Sequence, residues 1–97
     1  MPGMVELTMA DRVVIPDAVI ARQLEGETVV LNLETGVYFG LDGVGTEIWN
    51  ALQSGGRIED AFSTVLHAYE VQPATLQDDL LRFVNQLASK GLLNAAS

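Results

Sequence analysis

The chain has 97 residues, a formal net charge of −8 and no cysteine. This length holds one domain, and the missing cysteines exclude a disulfide scaffold, a thiolate metal site and a cysteine nucleophile. Thirteen acidic residues against five basic ones argue against a phosphate backbone as partner, and Arg12, Arg22, Arg57, Arg82 and Lys90 stand singly rather than in a patch. The same charge favours a basic partner or a peptide carrying Lys or Arg.

The hydrophobic fraction of 48% is enough to form a core. No apolar run approaches the roughly 20 residues that cross a bilayer. The opening MPGMVELTMADR has neither the basic start nor the continuous apolar core of a secretory signal. A cytoplasmic location and no membrane contact are expected.

Residues 1–17 show weak periodicity and are expected to form a weakly ordered N-terminal segment. VVIP at 13–16 is apolar enough to pack or to pair with a strand, and Pro16 holds Ile15 extended. The main domain is expected over residues 18–93, with 94–97 as a fraying tail.

Three strands follow. The first is VIARQL at 19–24, closed by a turn at Glu25-Gly26-Glu27. The second is TVVLNL at 28–33. Val29, Leu31 and Leu33 share one of its faces, and Thr28, Val30 and Asn32 share the other. Glu34-Thr35-Gly36 makes a short connection, with Gly36 suited to the left-handed position that closes such a hairpin. The third strand is VYFGL at 37–41, with Val37, Phe39 and Leu41 on one face and Tyr38 and Gly40 on the other. Phe39 is assigned to the core and Tyr38 to a groove or surface. Short connections give an antiparallel meander whose first and third strands are edges.

The period then changes to 3.6. Asp42 is placed to cap a helix over residues 43–53, with Val44, Ile48, Ala51 and Leu52 in its stripe and Trp49 beside it. Ser54-Gly55-Gly56 ends it. The second helix is IEDAFSTVLHAY at 58–69, where Ile58, Ala61, Phe62, Val65, Leu66 and Tyr69 recur at helical spacing. The third begins near Pro73 or Thr75, with Thr75 and Asp78 as a capping box and Asp78 and Asp79 in or near its first turn. Leu76, Leu80, Phe83, Val84 and Leu87 make its stripe, and Gly91 with Leu92 suits a Schellman end. The fold class is α+β and winged-helix-like, a three-stranded antiparallel sheet followed by three helices.

The residues offer no catalytic constellation. His67 is the single histidine and has no ligand cluster around it. Asp78 and Asp79 are adjacent on a helix and do not face each other. Ser63 and Thr64 have no triad partners, and Trp49 beside an apolar stripe is a core residue. No enzyme activity, metal or cofactor is expected.

The stretch VVLNLETGVYFGLDGVGTEIWNAL at 29–52 resembles the PqqD family. The resemblance lies in Val30-Leu31-Asn32, Thr35-Gly36, Tyr38-Phe39, Leu41-Asp42, Gly45 and Ile48-Trp49, in that order and spacing. Asp42 stands where the family commonly has Asn, and both cap helices. The later layout agrees: a Gly-Gly linker, EDAF, Tyr69-Glu70-Val71, a last helix and Gly91-Leu92-Leu93. The resemblance covers residues 18–93.

It implies a non-catalytic recognition element for a ribosomally made precursor peptide. The leader would add as an extra strand along Val37, Tyr38, Phe39, Gly40 and Leu41. The last helix would form the other wall through Leu76, Asp79, Leu80 and Phe83, and leader side chains would enter between Tyr38 and Phe83. Asp78 and Asp79 would suit a leader Lys or Arg. The partner enzyme would be a leader peptidase, as in lasso-peptide pathways, or a radical SAM enzyme, as in PQQ biosynthesis. The competing reading is a structural or regulatory subunit that dimerises or scaffolds without a peptide. Oligomeric state stays open.

Overall fold

A computed structural model describes residues 6–25 and 27–96. Gly26, in the expected first turn, and the chain's first five residues lie outside the described residues. The elements run β1 (Val13–Val14), β2 (Val19–Leu24), β3 (Glu27–Asn32), β4 (Tyr38–Leu41), α1 (Gly43–Gly55), α2 (Ile58–Ala68), α3 (Pro73–Ser89) and β5 (Asn94–Ala95). The order is the expected α+β layout of a three-stranded antiparallel sheet followed by three helices.

The sheet runs β2-β3-β4, with β2 and β4 at its edges. Val30 lies opposite Ala21 on one side and Phe39 on the other, and Thr28 lies opposite Leu41. These residues face the helices. Thr28, Val30 and Asn32 are buried, whereas Leu33 is exposed and Val29 and Leu31 are half-buried. The face of β3 with fewer large apolar residues is therefore the inner one. The outer face carries Ile20, Leu31 and Tyr38.

The β3–β4 hairpin closes as the sequence suggests. Gly36 sits at φ 78°. Its N–H donates to the Asn32 carbonyl, while the Asn32 N–H donates to the Val37 carbonyl. Residues 33–36 thus form a four-residue loop, one residue longer than the expected connection at 34–36, closed by the left-handed glycine. Asn32 also holds the loop by its side chain: Oδ1 accepts from Glu34 N–H and Thr35 N–H, and Nδ2 donates to the Gly91 carbonyl at 3.0 Å.

Asp42 caps α1 by accepting from the Gly45 N–H at 2.7 Å. The helix runs two residues past its expected end, to Gly55, and stops where Gly56 turns left-handed at φ 77°. Trp49 is buried in the core with Ile48 and Leu52. α2 buries Ile58, Ala61 and Val65, but Tyr69 falls outside the helix and is exposed.

α3 departs from its expected start. Gln72 is its N-cap, Pro73 opens the first turn, and Thr75 makes no capping bond. Pro suits that position because it lacks the N–H that would go unpaired there. Asp78 and Asp79 thus lie beyond the first turn and do not serve the helix start. At the other end the Leu92 N–H reaches the Leu87 carbonyl and the Gly91 N–H reaches that of Ala88, with Gly91 at φ 76°. This is the Schellman pattern.

Both ends of the chain show structure that periodicity did not reveal. β1 pairs antiparallel with β5, Val13 opposite Ala95. Leu7 is buried, and Asn85 on α3 accepts from its N–H and donates to its carbonyl. Two-residue strands are too short to print a repeat in sequence; the apolar VVIP at 13–16 marked a segment able to pair, and Val13–Val14 does so, but nothing pointed to its partner at 94–95. Leu92 and Leu93, fully buried, carry the chain from α3 to β5.

Candidate functional site: an open strand edge facing a helix

Among the described residues, β4 is hydrogen-bonded on one side only. Because the Val37 carbonyl turns toward β3, alternation along the antiparallel ladder turns Phe39 and Leu41 toward β3 as well. The N–H and C=O groups of Tyr38 and Gly40 then point to the free edge. Such an edge is a template for another strand.

Below this edge a groove of about 560 Å³ runs between β4 and α3. Phe39, Gly40 and Leu41 form one wall, and Leu76, Asp79 and Phe83 form the other. Val44, Gly45 and Ile48 of α1 and Val65 of α2 floor it, while Val71 and Thr75 close one end. Asp42 and Asp79 bring its two carboxylates. Asp42 is engaged with Gly45, and Asp79 pairs with Arg82 at 3.2 Å on the exposed side of α3.

Phe39 and Phe83 meet across the groove with ring centroids 6.3 Å apart. Phe39 lies opposite buried Val30, so it belongs to the inner face, but its place on the edge strand leaves it only half-buried. It is both a core-facing and a groove-facing residue. The Lys90 ammonium rests 5.7 Å from the centre of its ring. β4 therefore starts near the end of α3 and finishes near its beginning.

Among the expected site residues, Phe39, Gly40, Leu41, Leu76, Asp79 and Phe83 come together. Tyr38 does not join them. It lies opposite Leu31, on the outer face, and is 70% exposed. The expected juxtaposition of Tyr38 with Phe83 is not formed; the ring that meets Phe83 is that of Phe39. Leu80 is fully buried beneath the groove and takes no part in its surface. Val37 precedes β4 and its carbonyl is spent on Asn32.

Sequence reasoning missed the floor. Gly45 carried the available signal: a side chain there would meet Asp42, Leu41 and Phe83, at 3.2–3.5 Å. The small residue lets the start of α1 approach both walls. Among the described residues no group of three metal-ligating side chains occurs, and no helix is long and apolar enough to cross a membrane.

Comparison with known proteins gives concordant results. The family model described as coenzyme PQQ synthesis protein D (PqqD) matches residues 27–93. Comparison with curated sequences gives no significant match. The solved structure of TbiB1 in complex with the TbiA(beta) leader peptide is 43% identical, covers 81% of this chain and 92% of its own, and superimposes with a TM-score of 0.75. A lasso peptide synthetase B1 complexed with the leader peptide has the same fold at 21% identity, covering 89% and 99% of the two chains, with a TM-score of 0.75. With its matched residues running from β3 through α3 to the buried Leu92-Leu93 pair, the chain belongs to the PqqD family.

Proposed function

We propose that the chain is a non-catalytic leader-peptide-binding protein, which captures a ribosomally made precursor and presents it to a maturation enzyme. One observation carries the reading: an unpaired strand edge stands directly over an apolar groove, in a chain 43% identical to a protein solved with a leader peptide. Strand addition supplies sequence-tolerant backbone bonds through Tyr38 and Gly40, and the groove selects side chains. The likeness in fold to a lasso peptide synthetase B1 favours a leader peptidase as the partner enzyme over a radical SAM enzyme. The groove's two carboxylates are engaged by a backbone amide and an arginine, which supports a binding role rather than acid–base chemistry.

The test is a titration of the protein with the TbiA(beta) leader peptide, followed by amide and side-chain NMR. Saturable binding with shifts clustered at 38–41 and 76–83 is the expected result. Saturable binding that perturbs only β2 or the exposed face of α2 would displace the site. Failure to bind would favour the structural-subunit reading. A precursor carrying that leader, incubated with the pure protein alone, should keep its mass.

A further inference from the structure

The groove has a charge polarity that its apolar lining conceals. Leu76, Asp79 and Phe83 on α3 and Lys90 at its C-cap recur at spacings of three, four and seven, which places them along one side of the helix. The stripe begins in the apolar pocket beside Leu41 and ends at Lys90 beside Phe39. Arg57 and Arg82 are held by carboxylates on their own helices. Lys90 has no carboxylate partner among the described residues. It rests instead on an aromatic ring of the groove wall, in a chain of net charge −8.

We infer that Lys90 is a specificity residue that reads an acidic side chain of the leader, and so sets the register of the added strand; the inference rests on the leader-binding reading above. A residue added opposite Phe39 points to the same face as Phe39, with the two Cβ atoms about 4.5–5.5 Å apart. Its side chain therefore enters beside the Phe39 ring, where the Lys90 ammonium already sits. The next leader residue on that face is two positions away, opposite Leu41. It meets Val44, Ile48 and Leu76, which favour an apolar group, the nearby carboxylates of Asp42 and Asp79 being engaged by Gly45 and Arg82. The recognised pattern is an acidic and an apolar residue separated by one position. A one-residue slip would turn both outward. The net charge of −8 disfavours an acidic peptide as a whole, so a cation placed beside the groove discriminates the register of an acidic side chain.

The experiment uses the TbiA(beta) leader with each residue replaced singly by Glu and by Lys, titrated into wild-type protein, Lys90→Glu and Lys90→Met. One position should prefer Glu over Lys by about five- to tenfold in the wild type, the size expected of a partly exposed charge pair reversed in sign. That preference should invert in Lys90→Glu and vanish in Lys90→Met, which keeps the aliphatic stem over Phe39. Two positions away, both charges should weaken binding whatever stands at residue 90. Tight binding in which no position responds to residue 90 overturns the inference and leaves the leader-binding reading intact. A wild-type protein that binds none of the peptides overturns both.

Discussion

Asn32 on β3 and Gly91 at the end of α3, 59 residues apart in sequence, are joined by a 3.0 Å hydrogen bond from the asparagine amide to the glycine carbonyl. The same side chain accepts two loop N–H groups of the β3–β4 connection. One buried residue thus ties the hairpin that presents the open edge to the helix that forms the facing wall. Replacing Asn32 with Ala leaves these groups without their partner, at a cost of about 1–3 kcal/mol. Urea denaturation should show the loss as a lower midpoint with an unchanged slope.

Trp49→Ala should act on the fold rather than on recognition alone. The indole is 1% exposed among Ile48, Leu52 and the rest of the core. Removing so large a buried aromatic costs about 3–5 kcal/mol, a large share of the stability of a domain this size. Equilibrium unfolding measures it. A variant with wild-type stability and no peptide binding would reverse the assignment.

Gly56→Ala should be damaging although the residue lies in the short connection between α1 and α2, because Gly56 is buried there. The residue adopts φ 77°, and a Cβ there would clash with the Val13 carbonyl oxygen. The Gly56 carbonyl also accepts the Val13 N–H at 2.7 Å. Left-handed strain alone is worth roughly 1–3 kcal/mol, and the clash adds to it by forcing β1 from the end of α1. Thermal unfolding together with hydrogen exchange at Val13 should report both effects.

Phe83→Ala should weaken binding of the TbiA(beta) leader roughly ten- to a hundredfold, because one buried apolar side chain is worth about 1.5–3 kcal/mol before ordering costs. The fold is checked in parallel by denaturation. Tyr38→Ser is the matched control, since Tyr38 points to the opposite face of the same strand. Its affinity should stay close to wild type. An equal loss in both variants would place the peptide on the outer face of the sheet.

Leu7→Ala tests the N-terminal clamp. Leu7 is 4% exposed, and Asn85 binds both of its backbone groups. Loss of a buried leucine side chain costs about 2–5 kcal/mol. The low end is expected so near a chain end, where relaxation is easiest. A change below the error of the melting curve would mean that this segment does not stabilise the domain.

The sequence by itself determined the three sheet strands, the three helices and the Asp42 cap, though not the start of α3, where Gln72 rather than Thr75 stands at the N-cap. Alternation at 19–24 and 28–33, a change of period after Leu41, and turn chemistry at Gly36, Gly56 and Gly91 are local properties, and each reappears in the structure. Asp42 was legible as a cap because its bond to the Gly45 amide spans only three residues. The edge position of β4 followed from short connections. Faces and ends were another matter. Period two assigns residues of β3 to two faces but does not say which one the helices cover; the face with Val29, Leu31 and Leu33 is the more apolar, yet Thr28, Val30 and Asn32 are the buried set. The same decision moves Tyr38 outward and brings Phe39 to Phe83. The pairing of β1 with β5, the hold of Asn85 on Leu7 and the groove floor at Gly45, Ile48 and Val65 join residues far apart in the chain. No local repeat encodes such contacts, because they arise only when the helices close over one face of the sheet.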